Sequence, residues 1–285
     1  MAHDSIYLDH AATTPMRPEV WEAMAPFASH SFGNPSGIHG VSRLAKNALE
    51  EARERAATIL GCRPLELVFT GGGTESDNLA LQGAALAGGR RGGVVTVATE
   101  HEAVLETAEF LGRLGCQVTI TGVDRLGRVN PETMATAITT DTAVVSVMAA
   151  NNETGTIQPV AAVAEAARTR HSEVMVHTDA VQAFISEEVT VDIFGVDLLT
   201  LAAHKFGGPK GVGLLYVRDG LALEPLLHGG GQELGRRSGT QNVAGAVGMA
   251  TAMELAAQDR PRFRADVTEA RRRFEAKLIG VAERT

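Results

Sequence analysis

The chain has 285 residues, 44% hydrophobic and 21% charged, with 31 Gly, 10 Pro and two Cys. This composition excludes a disordered tail, a collagen-like repeat and a disulfide-stapled miniprotein, and a globular chain of this length can bury roughly three quarters of the surface it exposes when unfolded. The 26 basic and 34 acidic side chains leave a net charge of −8, which argues against a nucleic-acid partner. No apolar run reaches the ~20 residues that span a bilayer, and the opening Met1-Ala-His-Asp-Ser lacks a basic-then-apolar secretory pattern. Cys62 and Cys116 make no disulfide framework and fit a reducing compartment. A cytoplasmic α/β protein without a membrane segment is expected.

Taken in chain order, residues 6–8 read as a short strand, 17–27 as a helix, 32–37 (FGNPSG) as a loop and 41–60 as a long helix. A regular alternation follows. Strands are expected at 66–70 (ELVFT), 94–98 (VVTVA), 118–121, 143–148 (AVVSVM) and 174–178 (VMVHT). Helices are expected at 74–87, 103–114, from Asn130-Pro131 onward with Asn as cap, and at 160–170. Continuous apolar strands between helices indicate a mostly parallel sheet buried on both faces, a three-layer α/β/α sandwich. Runs 198–202 and 212–217 are joined by a Gly/Pro/Lys loop too short for a crossover, so one of them is expected to be antiparallel. Phe263, Val267, Ala270, Phe274 and Leu278 recur at helical spacing, an apolar stripe that needs a partner. The resulting division is 1–15 as the first piece of a small domain, 16–258 as a large domain, and 259–285 as a helix opening the rest of the small domain.

Three stretches suggest chemistry. Residues 70–76 (TGGGTES) join a strand to a helix, where glycines and the helix's first N–H groups suit a phosphate, although a plain turn reads the same way. No Lys stands where a Walker loop needs one, and the pattern is not G-x-G-x-x-G. Residues 177–182 (HTDAVQ) close a strand on Asp179, at the edge where open α/β sheets bind ligands, or simply cap the next segment. Residues 201–211 (LAAHKFGGPKG) end a strand on Lys205, where desolvation favours a free amine, with Lys210 as a competing loop charge. Together they are the groups that pyridoxal 5'-phosphate requires: an anion cradle, an acid for the ring nitrogen and an amine for the aldehyde. His101, just after strand 94–98, is placed to stack on a flat ring. As a metal motif His101-Glu102-x-x-Leu105 lacks its second His, and no metal is expected.

Residues 7–15 (YLDHAATTP), 32–36, 69–78 (FTGGGTESDN), 99–101 (TEH), 151–155 (NNETG), 177–182, 204–211 (HKFGGPKG), 228–233 and 237–240 (RSGT) run in one order along the chain. In them the sequence resembles the class V aminotransferase superfamily of fold-type I pyridoxal-phosphate enzymes, and more narrowly the NifS/IscS-like cysteine desulfurases. The resemblance implies that Lys205 bonds the cofactor aldehyde and shuttles protons. It also implies that Asp179 pairs with the ring nitrogen, that Gln182 bonds the ring hydroxyl, and that His101 stacks on the ring and acts as acid or base. Asn152 would sit near the cofactor oxygen and the substrate carboxylate, while Gly73, Thr74 and His204 would hold the phosphate. Thr240 would reach the phosphate of a neighbouring subunit in a homodimer. The implied substrate is L-cysteine, and the implied partner is a sulfur-acceptor protein of iron–sulfur cluster or other sulfur-carrier biosynthesis.

Two departures from the family pattern stand out. The hydroxyl of the family's Ser-x-His-Lys is replaced by Ala202. The family's persulfide cysteine and substrate-binding arginine belong to a C-terminal loop expected to be lacking here, and Cys62 and Cys116 fall in scaffold segments. Cofactor binding with weak or no desulfuration is therefore expected. A non-catalytic cofactor-binding or dimer-partner scaffold, and another class V lyase such as a selenocysteine lyase, remain open at this point.

Overall fold

The computed structural model describes residues 6–282. Helix α1 (Pro18–Ser29) has proline in its first turn, and α2 (Gly40–Leu60) ends at Gly61, whose φ of 70° only glycine adopts cheaply. Then follow β1 (Leu67–Thr70), α3 (Gly73–Leu86), β2 (Gly93–Val97), α4 (Glu102–Arg113), β3 (Val118–Thr121), α5 (Pro131–Ala137), β4 (Thr142–Ser146) and α6 (Val160–Arg170). The chain continues with β5 (Met175–Asp179), α7 (Val191–Phe194), β6 (Leu198–Ala202), β7 (Gly213–Val217) and α8 (Val243–Ala282). Asn130 starts α5 as its sequence suggests, its side-chain oxygen accepting from the N–H groups of Glu132 and Thr133 at 2.9 and 3.2 Å.

The strands form one seven-stranded sheet in the order β1-β7-β6-β5-β4-β2-β3. Strand β7 runs antiparallel to β1 and β6, and every other pairing is parallel. Successive residues alternate between two cores. Val144, Met175, Leu198 and Leu215 pack under α3 and α4, while Val145, Val176, Leu199 and Leu214 meet side chains of α2, α5, α6 and α8. Both faces are covered, which is why the strands read as unbroken apolar runs. This is the mostly parallel α/β/α sandwich expected from the sequence.

The ends differ from the sequence reading. Residues 6–8 are not a strand: they pair with none of the described strands, and Ile6 and Leu8 stay 85% and 87% exposed. Three residues of high β propensity form a strand only where a neighbour supplies ladder hydrogen bonds. The apolar stripe of 263–278 is the outer half of the 40-residue helix α8, which continues through Pro261. Its first half buries Ala246, Val247 and Ala250 against Leu49 and Ala52 of α2, whereas Val267, Phe274 and Leu278 are exposed.

A buried ion pair fixes the segment between β7 and α8. Arg53 on α2 donates twice to the Glu233 carboxylate, each bond 2.8 Å long, and Glu233 also accepts from Phe69 N–H at 3.0 Å and from Gln241 Nε2 at 2.8 Å. Burial alone would push the Glu233 carboxyl up, but Arg53 and the other donors hold it below the usual glutamate range. Removing one partner strands a buried charge, so Arg53→Ala is expected to cost about 3–5 kcal/mol in denaturant unfolding. The sign of its pH dependence follows from the lowered value. The stability that Glu233 contributes is complete above the ordinary glutamate range and is lost as pH falls through the folded value, so wild type and Glu233→Gln should converge in acid.

Candidate active site

Because β7 is antiparallel to both neighbours, β1 runs the same way as β6, β5, β4 and β2. The turn after β1 therefore opens on the same sheet edge as the segments that follow those strands. A cavity of about 240 Å³ lies there, lined by Gly73 and Thr74 after β1, His101 after β2, Asn152 beyond β4, Asp179 and Gln182 at the end of β5, and His204 and Lys205 after β6. Eight of the nine residues singled out from the sequence thus meet around one space. Thr240 does not line it: it is exposed, on the segment before α8.

No side chain caps the N-terminus of α3. The Gly73–Thr74 turn borders the cavity instead, with the partial positive charge of a helix start. A Cβ on residue 73 would stand 3.2 Å from Val181 Cγ2 and 3.3 Å from Ala202 Cβ, so glycine lets the backbone approach closely. An ion pair stiffens this corner. Arg237 donates to both Glu75 oxygens at 2.8 and 3.3 Å, and one of them accepts from Gly71 N–H at 2.8 Å.

Asp179 is 6% exposed, and its Oδ1 accepts from Val181 N–H at 2.8 Å. Burial pushes its carboxyl up, opposed only in part by that N–H and by the neighbouring His101 and Lys205. Lys205 is half-buried and donates to the carbonyl oxygens of Ala11 and Ala12 at 2.5 and 3.0 Å. Desolvation lowers its amine below the ordinary lysine value, while Asp179 and Asp9 pull the other way. The residues around the lysine are tied to the same N-terminal segment, since His204 Nδ1 meets Thr13 Oγ1 at 3.0 Å and the His204 carbonyl accepts from Thr14 N–H at 2.9 Å. His101 starts α4, its Nδ1 accepting from Ala103 N–H at 3.0 Å, which leaves the proton of the neutral ring on Nε2. Asn151, by contrast, is scaffold. Its amide nitrogen donates to Thr99 O and its oxygen accepts from Glu153 N–H and Thr154 N–H, and this turn presents Asn152 to the cavity.

Sequence reasoning missed two buried acids here, Asp77 and Glu100, at 1% and 7% exposure. Asp77 lies one helical turn beyond Thr74 and Glu100 directly precedes His101. That spacing was the available signal, although nothing in it distinguishes a buried carboxyl from a solvated one. Cys62 and Cys116 do not line the cavity, and burial, with Glu66 nearby, pushes the Cys62 thiol up to about 12. Burial likewise raises Cys116.

Over residues 6–280 the chain matches the family model described as aminotransferase class-V. It is 48% identical over 270 residues to the cysteine desulfurase IscS of Dictyoglomus turgidum, covering 94% of this chain and 68% of that protein. It is 47% identical over 253 residues to the cysteine desulfurase IscS of Methanosarcina thermophila, covering 88% of this chain and 62% of that one. The chain therefore spans about two thirds of the length of these relatives. Among solved structures, a NifS-like protein superimposes with a TM-score of 0.93 at 41% identity, over 96% of this chain and 76% of that one. With a match that runs along almost its whole length and a fold that agrees with it, the chain belongs to the aminotransferase class-V family.

Proposed function

We propose that this chain carries the cofactor chemistry of a cysteine desulfurase. The observation that supports this reading is the convergence of Lys205, Asp179 and the Gly73–Thr74 turn on one cavity. The cofactor of the family is pyridoxal 5'-phosphate, and the residues present fit it. The buried Asp179 offers an acceptor to a ring N–H, the uncapped α3 start receives the phosphate, and the Lys205 amine is held at the cavity wall. When bound, the cofactor supplies an electron sink that stabilises negative charge on the substrate's Cα.

The protein's own groups do the rest. Asp179 fixes the ring orientation by pairing with its nitrogen, Gln182 bonds the ring hydroxyl, and His101 covers the ring face. Asn152 orients the substrate carboxylate. Lys205 Nζ, released from the Ala11 and Ala12 carbonyls, takes the Cα proton and returns it, a role that its lowered basicity suits. In the complete reaction the C–S bond of L-cysteine breaks, sulfur passes to an acceptor thiol as a persulfide, and the carbon skeleton leaves as L-alanine. Neither cysteine of the described residues faces the cavity, so the acceptor thiol comes from elsewhere, and residues 1–285 alone bind the cofactor with little or no desulfuration. The assembly is a homodimer in which the exposed Thr240 of each subunit completes the phosphate site of the other. The exposed Trp21, Phe32, Ile38 and Leu44 are suited to that contact.

These assignments have separate readouts. The purified chain loaded with pyridoxal 5'-phosphate should absorb in the near-visible, and Lys205→Ala should abolish that band. A wild-type chain that stays colourless would defeat the reading. Sulfide and alanine formation from L-cysteine with a reductant should be slow or undetectable, and rapid turnover would show that the acceptor thiol has been misplaced.

The rate at which cofactor-free protein captures the aldehyde should rise with pH through a midpoint below the ordinary lysine value of about 10.4, because only the uncharged amine reacts. Asp179→Asn removes a charge that favours the ammonium form, so it should move that midpoint lower still. Ala202→Ser should tighten cofactor binding by roughly tenfold, the worth of about one hydrogen bond to a charged oxygen, measured by equilibrium titration.

A further inference from the structure

Asp77 and Asp179 line the cavity, Glu100 directly precedes the cavity residue His101, and the three are buried and interact electrostatically. They come from different elements: Asp77 from α3, Glu100 from the segment after β2, and Asp179 from the end of β5. Glu100 Oε1 accepts from Met148 N–H at 2.7 Å, whereas Glu100 Oε2 and Asp77 Oδ1 have no hydrogen-bond donor among the described residues. The buried base beside them is uncharged. His177 uses Nδ1 with Ser146 Oγ at 2.8 Å and Nε2 with Thr200 Oγ1 at 3.1 Å, it stands 3.6 Å from Asp77 Oδ1, and burial lowers its ring to about 3. His101 and Lys205, which line the cavity with Asp179, pull its carboxyl the other way.

Three ionised carboxyls in such a place would repel one another, and two would carry an orphan anionic oxygen. A carboxylic acid in the same place is different: one oxygen accepts, and the other becomes a donor. In Glu100 one oxygen accepts from Met148 and the other has no partner, and an unpartnered O–H is far cheaper to bury than an unpartnered anionic oxygen. Glu100 also joins two walls of the site, because Met148 lines the cavity and Asn151 Nδ2 donates to Thr99 O at 2.9 Å alongside.

We propose that Glu100 is a positioning residue of the cofactor site and works as an un-ionised carboxylic acid. It ties the end of β4 to the segment that carries His101, and by staying neutral it leaves Asp179 as the counter-charge for the ring nitrogen. The proposal rests on the cofactor reading above and adds to it a residue that need not touch the cofactor. Burial and the charge of Asp179 push the Glu100 carboxyl up to about 8, against the opposing pull of the Met148 N–H, which agrees with the geometry. The same causes, with Thr200 opposing, raise Asp77 well above the aspartate range.

The test compares Glu100→Gln, which keeps one acceptor and one donor without charge, with Glu100→Ala. Infrared spectra of the cofactor-free protein at neutral pH should show a carboxylic-acid carbonyl band that Glu100→Gln removes. In cofactor titrations Glu100→Gln should stay within about threefold of wild type, whereas Glu100→Ala should weaken binding by about tenfold or more. A wild-type spectrum that Glu100→Gln leaves unchanged overturns the neutral acid. So does a Glu100→Gln variant that binds as poorly as Glu100→Ala. A Glu100→Ala variant that binds like wild type overturns the positioning role. Because the infrared measurement needs no cofactor, a wild-type chain that takes up no pyridoxal phosphate defeats the proposed function without altering the protonation state read at Glu100.

Discussion

The direction of a single strand decides whether this molecule has a site. Had β7 run parallel to β6, β1 paired antiparallel to it would point the other way, and the glycine turn after β1 would open at the opposite edge of the sheet. With β7 reversed, the turn Gly71–Gly73 arrives beside Asp179 and Lys205, which lie at the ends of β5 and β6. The short Gly/Pro/Lys loop between β6 and β7 enforces the reversal, because a parallel return needs a crossover of a dozen or more residues. The loop that bears Lys205 is therefore also the connection that brings the Gly71–Gly73 turn to it.

Rigid placement of that turn has an energetic counterpart on the segment before α8. Glu233 and Leu234 sit at φ 49° and 58°, left-handed backbone that non-glycine residues adopt at a cost of order 1–3 kcal/mol each. The Arg53 fork and the Phe69 N–H hold Glu233 there, and four residues later Arg237 clamps Glu75 in the first turn of α3. One buried charge pair thus fixes the loop that stiffens the Gly73–Thr74 end of the cavity. Exposed ion pairs such as Arg113–Glu109 have no comparable consequence, since solvent screens them.

Much of this was legible in the sequence because the signals were local. Asn130-Pro131, the apolar strands and the short β6–β7 loop each constrain their own backbone, and the sheet follows from their order. Lys205, Asp179, His101 and the glycine turn could be proposed together because the chemistry of one cofactor requires an acid, an amine and an anion nest, whereas Asn152, Gln182 and His204 were implied only by the family resemblance. What stayed hidden depends on distant partners. Ile6–Leu8 has strand propensity but no ladder, and the stripe of 263–278 belongs to a helix that starts twenty residues earlier, at Val243, and crosses Pro261. Asp77 and Glu100 look like ordinary surface acids until the fold buries them, and burial is a property of neighbours that spacing does not encode.

The amine and the acid on which the site depends are kept apart in their surroundings as well as in their roles. Asp179 lies among buried groups that are neutral or are driven toward neutrality, His177 among them, whereas Lys205 lies at the rim and spends its donors on the carbonyls of Ala11 and Ala12. Those carbonyls belong to a segment that is itself held by Thr13 and Thr14 on His204, the residue before the lysine. Any group that claims Lys205 must take it from this strap. What it gains is an amine already desolvated, with basicity lowered, in the field of the buried Asp179 carboxyl. The strap positions the lysine and burial sets its basicity, so the amine that borders the cavity is prepared by two separate features of the fold.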